Sequence, residues 1–335
     1  MIGEAKAGVE VSITGLGVRV PDRVITNDEL SQWVDTTDEW IVTRTGIHER
    51  RFADKGEALS DIALPACLDA LEQAGLDGKD IDLLIVATVT PDMAFPSTGA
   101  ILADRLGAHD AAAYDLSAGC TGFMYALAQA YGMLAGGLAK KALVVGGDLL
   151  SRILDFEDRS TLVLFGDGAG AVVLELVGER GFLGFELGAD GAGGENLWLP
   201  GSGSRIFDDD LRHVKMNGRE VFKFATRILV QSAEDVMQRC GVTIDDIDVY
   251  VPHQANVRII DHATKRLGVP SEKVVINVDR YGNTSSGSIP LALADAAGDG
   301  RLKPGKLVLM TGMGAGLTWG SALIRWTAPM NGGAA

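Results

Sequence analysis

Cysteine is scarce in this chain of 335 residues, and positive charge is in short supply. The three cysteines, Cys67, Cys120 and Cys240, are odd in number and none belongs to a CxxC pair. That excludes a disulfide framework and a zinc-type ligand spacing, so each thiol has to be read singly. Thirty basic residues against 45 acidic ones leave a net charge of −15. Such a balance repels nucleic acid and anionic membrane, and neither is an expected partner. No apolar run approaches the roughly 20 residues of a membrane span. The opening MIGEAKAGVE has no basic region followed by an apolar core, so it does not read as a signal peptide. The expectation is a soluble, cytoplasmic protein of a reducing compartment.

What the chain does have is an internal echo. Ala74-Gly75-Leu76-Asp77-Gly78-Lys79-Asp80-Ile81-Asp82 reads without a gap against Cys240-Gly241-Val242-Thr243-Ile244-Asp245-Asp246-Ile247-Asp248. Arg105-Leu106-Gly107 returns as Arg266-Leu267-Gly268, and Gly119-Cys120-Thr121 as Gly282-Asn283-Thr284. Gly166-Asp167-Gly168-Ala169-Gly170 returns as Gly312-Met313-Gly314-Ala315-Gly316. Short glycine-containing matches arise by chance, but four in the same order argue for one architecture used twice. The expected division is an N-terminal half, 1–180, and a C-terminal half, 181–335. At one matching point the halves differ in chemistry, Cys120 in one and Asn283 in the other.

The pattern along each half alternates strands with helices. Ile81 to Thr88 is a continuous apolar run, as in a strand covered on both faces, and Val249 to Val251 is its counterpart. Ala112 to Leu116, Ala142 to Gly147 and Gly168 to Leu176 read as further strands. Val274 to Asn277, Leu307 to Thr311 and Ser321 to Trp326 are their equivalents. Ile62 to Ala74, Thr121 to Leu134, Ile259 to Leu267 and Ser286 to Ala297 read as helices. Strand–helix alternation implies parallel sheets with helices on their faces. Two such halves side by side give an α/β fold, a five-layer α-β-α-β-α sandwich with shared helices in the middle. From about Gly184 to Asn217 the chain is Gly- and Asp-rich without periodicity and reads as a surface excursion. The tail from Pro329 to Ala335 reads as frayed.

Cys120 falls between a strand and a helix, flanked by Gly119 and Gly122. Unpaired N–H groups at a helix start favour thiolate, so its pKa is expected to be lowered. The plain alternative is a small buried apolar residue, which is how Cys67 and Cys240 are read. His253 follows the buried strand Val249-Tyr250-Val251-Pro252, at the carboxyl end where ligands of α/β sheets gather. A lone histidine is more often structural. The repeat, however, sets it beside the turn of Asn283, and a pseudo-twofold would bring Cys120, His253 and Asn283 together. A thiolate takes an acyl group from a thioester. A neutral imidazole and an amide can donate hydrogen bonds to the enolate oxygen of a decarboxylating malonyl thioester. That set suits carbon–carbon bond formation better than hydrolysis.

On these residues the chain resembles the β-ketoacyl-acyl-carrier-protein synthase III family, thiolase-superfamily condensing enzymes that initiate type II fatty-acid synthesis. The likeness covers about residues 10 to 327. It rests on Thr36-Thr37-Asp38-Glu39-Trp40-Ile41-Val42-Thr43-Arg44-Thr45-Gly46-Ile47, the Cys120 segment, His253-Gln254-Ala255-Asn256, Gly282-Asn283-Thr284-Ser285 and the glycine-rich stretch to Thr318-Trp319-Gly320. The resemblance implies a thiolase-like sandwich, a Cys120–His253–Asn283 triad, and an oxyanion hole from the backbone N–H groups of Cys120 and Ala315. Ala315 stands where the family usually has glycine, which requires a negative φ there. It also implies coenzyme A contacts from Thr36, Trp40, Arg44, Arg159, Phe222 and Asn256, with adenine stacked between Trp40 and Arg159. Met313 and Phe95 would shape the acyl pocket, Phe95 across a homodimer interface. Lys223, Arg227, Arg258, Lys265 and Arg266 are candidates for docking an acidic acyl carrier protein, although such helix cations are commonly just a solvated face. No metal or cofactor is implied; acyl-CoA and malonyl-carrier protein are substrates. A thiolase proper would need a second cysteine between Thr311 and Gly320, where none stands. A plant-type polyketide synthase would share the triad. The rival readings are a homologue that joins or transfers acyl groups in secondary metabolism, and a catalytically silent half of a heteromeric assembly.

Overall fold

The computed structural model describes residues 10–178, 181–201, 203–206 and 211–329. The expected frayed tail falls, but for Pro329, outside the described residues. Among them the chain forms two main sheets. The five-stranded sheet runs Val11–Arg19, Asp167–Leu176, Lys141–Leu149, Leu83–Ala87, Ala112–Leu116. The four-stranded sheet runs Phe182–Ala189, Thr318–Arg325, Leu307–Gly314, Val249–Pro252. Leu83–Ala87 and Val249–Pro252 are buried at every position, which is why both read as unbroken apolar runs.

The two sheets repeat one plan. Each begins with two antiparallel pairings and continues in parallel, with two such pairings in the larger sheet and one in the smaller. Strand–helix alternation predicted parallel sheets, and the observed sheets are mixed. The reason is that the next strand after Lys141–Leu149 and after Leu307–Gly314 returns antiparallel beside it, the first after a connection whose helix, Arg159–Leu162, is only one turn long. Val274, expected to open a strand, makes a single parallel bridge to Tyr250. Phe182–Ala189, assigned in part to a surface excursion, is instead a strand of the second sheet. Its Phe182 and Phe185 are buried and its glycines hid the alternation.

Three of the four sequence matches hold as structural equivalences. Gly75 and Gly241 end their helices at φ 69° and 66°, and Gly107 and Gly268 at 72° and 75°. Asp80 accepts from the Asp77 N–H at 2.9 Å, and Asp246 from the Thr243 N–H at 2.9 Å. The fourth match is out of register. Leu83 pairs with Ala142 and Val249 with Val308, so Gly312 corresponds to Gly146, and Gly170 to Gly320.

Five layers follow from where the apolar faces point. Helices Gly122–Ala135 and Ser288–Gly298 lie between the sheets, their Phe123, Leu127 and Leu293 packed with Val144 and Val172 of one sheet and Val308 and Ala322 of the other. Each large apolar side chain so buried contributes about 2 kcal/mol. Leu59–Ala74 and Thr98–Leu106 cover the outer face of the first sheet. Gly218–Cys240 and Val257–Leu267 cover that of the second. The middle helices start at the carboxyl ends of the central strands, and both start beside the same cavity.

Candidate active site

The turns ahead of the two middle helices carry the divergent pair. Gly119 and Gly282 precede Cys120 and Asn283 at φ 56° and 64°, in the left-handed region where a side chain is strained. A Cβ on Gly119 would lie 2.8 Å from the Ala315 nitrogen, and one on Gly282 3.1 Å from the Leu164 oxygen. Backbone therefore approaches both turns closely. Cys120 sits in a short 3-10 turn, Gly119–Thr121, that leads directly into Gly122–Ala135.

Cys120, His253 and Asn283 line one cavity of about 220 Å³, with Met313 and Gly314 on its wall. All three are buried. Burial pushes the Cys120 thiol up to about 12, although the Ser285 hydroxyl pulls the other way. The thiol was expected to be lowered by the helix start; desolvation of a thiolate outweighs that in a site this closed. Burial also pushes His253 down to about 4, so the imidazole is neutral. With the thiol high and the imidazole low, a resting thiolate–imidazolium pair is disfavoured.

Each group is held by neighbours that its own sequence position did not reveal. His253 Nδ1 lies 2.6 Å from Ser288 Oγ, and that oxygen accepts from the Gln254 N–H at 3.4 Å. With the Ser288 hydroxyl as donor to Nδ1, the proton of a neutral imidazole is on Nε2. Nε2 is buried and has no protein partner. The Asn283 Oδ1 accepts from the Ser285 N–H at 2.9 Å, which turns the amide NH₂ the other way. The Asn283 backbone is clamped at both ends, its N–H to Leu164 O at 2.8 Å and its C=O from the Gly166 N–H at 3.0 Å. Beneath the site the buried Asp148 accepts from Thr88, Val89, Thr90 and Ser286, joining the first half to the Asn283 turn. Thr121 Oγ1 and Thr318 Oγ1 are 2.6 Å apart and tie the cysteine turn to the glycine-rich turn.

Ala315 keeps a negative φ, since Ser285 is the one non-glycine residue with a positive value among those described. A Cβ on Gly314 would sit 2.5 Å from the Cys120 nitrogen, so the two turns are packed backbone to backbone. A second cavity, about 130 Å³, opens on the other side of Cys120 between Leu150, Leu154, Leu199 and Val214. Cys120, Phe165 and Leu197 are common to both. Met313 lines the larger cavity, and Phe95 lies on the surface, 86% exposed.

The larger cavity leads out past Trp40, Arg44, Phe222 and Asn256. Trp40 lies on helix Asp38–Thr45, and the guanidinium carbons of Arg44 and Arg159 are 4.5 and 4.8 Å from its ring centroid. Arg159 also donates to Asp35 O at 2.7 Å. The indole and the Arg159 guanidinium are thus stacked directly on one another, and a flat base would have to part them. Asn256 caps helix Val257–Leu267 through Oδ1 and donates to Arg44 O at 3.1 Å. Thr36 Oγ1 is buried without a partner. Arg258 is 5.7 Å from the Phe222 ring at the mouth. Lys265 and Arg266 occupy the last turn of the same helix, about 10 Å further along. Lys223 and Arg227 are exposed on Gly218–Cys240, where Lys223 faces Glu220 at 3.9 Å. Among the described residues no group of three or more His, Cys, Asp or Glu could hold a metal ion, and no helix is long and apolar enough to cross a membrane.

Models of the 3-oxoacyl-[acyl-carrier-protein] synthase III family match residues 114–191, and of its C-terminal part residues 237–326. The chain is 54% identical over 323 residues to the β-ketoacyl-[acyl-carrier-protein] synthase III of Symbiobacterium thermophilum, covering 94% of this chain and 98% of that one. It superposes on the crystal structure of the Thermus thermophilus synthase III with a TM-score of 0.90 at 49% identity, covering 95% and 99% of the two chains. The priming β-ketosynthase of the R1128 polyketide pathway superposes at 0.91 with 36% identity over 98% and 99%. These likenesses cover nearly the whole chain, and the chain belongs to the β-ketoacyl-[acyl-carrier-protein] synthase III family.

Proposed function

We propose that the protein condenses an acyl-CoA primer with malonyl-acyl carrier protein, releasing coenzyme A, carbon dioxide and 3-oxoacyl-acyl carrier protein. The observation that carries this reading is the meeting of Cys120, a neutral His253 and Asn283 in one buried cavity, with an apolar cavity behind the thiol. A hydrolase would want a histidine able to take a proton from water. A histidine pushed down to about 4, with its Nε2 unpartnered, is suited instead to donating a hydrogen bond from that nitrogen.

In the first half-reaction the Cys120 sulfur adds to the primer carbonyl. The oxyanion is held by the Cys120 and Ala315 N–H groups, the carbon–sulfur bond to coenzyme A breaks, and the acyl chain occupies the apolar cavity. In the second, the malonyl carbon–carboxylate bond breaks and its electron pair passes into an enolate. His253 Nε2–H and the Asn283 amide N–H hold the enolate oxygen. The enolate carbon then attacks the acyl-cysteine carbonyl and the sulfur departs. Two donors that strengthen as charge develops lower that barrier by about 3 kcal/mol each.

Trp40 and Arg159 part to hold adenine, with Thr36, Arg44, Phe222 and Asn256 along the pantetheine path. Met313 borders the reacting carbons, and Phe95 enters the acyl pocket of a second copy in a cytoplasmic homodimer. Lys223, Arg227, Arg258, Lys265 and Arg266 form the face for an acidic carrier protein, Arg258 nearest the mouth. The division at 180/181 then separates a nucleophile half from a decarboxylation half. The test is to incubate the protein with a panel of acyl-CoAs, locate the acyl group by peptide mass spectrometry, then add malonyl-carrier protein. Label on Cys120 that clears into a 3-oxoacyl product supports the reading; no label with any primer in the folded protein overturns it.

A further inference from the structure

One polar atom at the site has no part in the chemistry so far. Ser285 Oγ is buried, has no hydrogen-bond partner, and lines the apolar cavity together with Cys120. Its backbone is also exceptional, with a φ of 52° at a residue that carries a Cβ. The Asn283 Oδ1···H–N Ser285 bond goes with that conformation, so the turn that orients the Asn283 amide also sets Ser285 on the cavity wall that Cys120 shares. Glycine would take the same backbone without strain, and only a side chain with a hydroxyl brings a donor to the thiol.

We propose that Ser285 is a catalytic hydroxyl that donates its hydrogen bond to the Cys120 sulfur as the thiolate forms. The proposal rests on the acyl-transfer reading of this site and adds the group that makes the nucleophile. In a cavity this dry a thiolate needs donors, and His253 is neutral with its Nδ1 engaged by Ser288. Ser285 is also the leading influence favouring the thiolate against burial. In the step itself the Cys120 S–H bond gives up its proton and the sulfur lone pair forms the new bond to the primer carbonyl carbon. The carbon–sulfur bond to coenzyme A breaks, and the proton ends on the coenzyme A sulfur. Ser285 keeps its own proton throughout. Once Cys120 is acylated the sulfur carries no charge to stabilise, so the malonyl half-reaction depends on Ser285 only as the sulfur departs.

The test uses the full-length protein with Ser285→Ala and Ser285→Gly. Alkylation of Cys120 by iodoacetamide is followed by peptide mass spectrometry from pH 6 to 10, which needs no acyl-CoA and is independent of the substrate assignment. Both variants are expected to alkylate Cys120 about tenfold more slowly at a given pH, the log-rate line displaced upward by about one pH unit. Cys240 serves as the internal reference. Acyl transfer from acyl-CoA should fall at least as far, and Ser285→Gly, freed of the strain, should unfold at a higher urea concentration than Ser285→Ala. An alkylation line unmoved in both variants overturns the proposal, whatever happens to turnover. Failure of the wild-type protein to accept any acyl group, with the alkylation shift present, would instead overturn the acyl-transfer reading and leave Ser285 as the thiol's partner.

Discussion

Two buried groups with opposite pKa displacements should partly offset one another in the pH dependence of stability, and removing either should expose the other. His253 is pushed from 6.5 down to about 4 by burial. Asp167 is pushed from 3.8 up to about 6, also by burial, against hydrogen bonds from Ser151 and Ala53. Between pH 4 and 6.5 the unfolded chain binds the histidine proton and the native state does not, so acidification in that window costs stability. Between pH 3.8 and 6 the native state binds the Asp167 proton and the unfolded chain does not, so acidification there adds stability. Going from pH 7 to pH 5, the first effect removes about 2 kcal/mol and the second restores about 1 kcal/mol. Urea unfolding at fixed protein concentration measures the sum, since guanidinium would screen the charges. Asp167→Asn should lose about 1 kcal/mol more than the wild type over that pH step, and His253→Gln should gain about 1 kcal/mol instead of losing it. If all three proteins change alike, to within about 0.5 kcal/mol, His253 is not held neutral by the fold. The donor role given to it would then lose its basis.

The other expectations concern single contacts. Asp148→Ala strands several buried donors at once and should destabilise by about 3–5 kcal/mol in urea unfolding, while Asp148→Asn, which keeps an acceptor, should cost less than half as much. Asn283→Ala should slow malonyl decarboxylation about 100-fold or more with self-acylation of Cys120 retained; equal loss in both half-reactions would deny the amide its specific place. Trp40→Ala should raise the KM for acyl-CoA about tenfold and leave acylation by a short thioester lacking the nucleotide unchanged. Leu154→Phe narrows the 130 Å³ cavity and should shift primer preference toward shorter chains in an acyl-CoA panel.

The repeat was legible in the sequence where it is written in turn chemistry. Gly75 and Gly241, Gly107 and Gly268, Gly119 and Gly282 all take positive φ, so the residue type records the backbone directly. The match of Gly166–Gly170 to Gly312–Gly316 failed for the same reason that it was tempting. Glycines needed for close packing of strands recur without any shared register, and only the pairing with Leu83–Ala87 and Val249–Pro252 fixes which glycine corresponds to which. Cys120 and His253 were readable as candidates because each follows a strand, and Asn283 because it matches Cys120 in the repeat. Their supports were not. Asp148 and Ser288 lie 28 residues beyond Cys120 and 35 beyond His253, and nothing local marks a carboxylate or hydroxyl that reaches across layers. The thiol's high pKa was hidden too, because a helix start is visible in sequence and the degree of burial is not.

What the duplicated turn has become explains why the halves are inseparable. Gly119-Cys120 and Gly282-Asn283 occupy equivalent turns, and one carries a thiol where the other carries an amide. Neither turn is held by its own half alone. The Asn283 backbone is bonded at both ends to Leu164 and Gly166 of the first sheet's half, and Ser286 is tied to Asp148. Thr121 is tied in turn to Thr318 of the second. Both turns open on one cavity, so a turn used twice sets two different side chains on the same wall. Divergence at that one position yields an asymmetric site without new architecture. The cross-bonds that hold each turn on the other's half then set the spacing that the chemistry needs. A chain cut between the halves should therefore lose the Asn283 geometry before it loses either sheet, which separate expression and mixing of the two pieces would reveal as acylation without condensation.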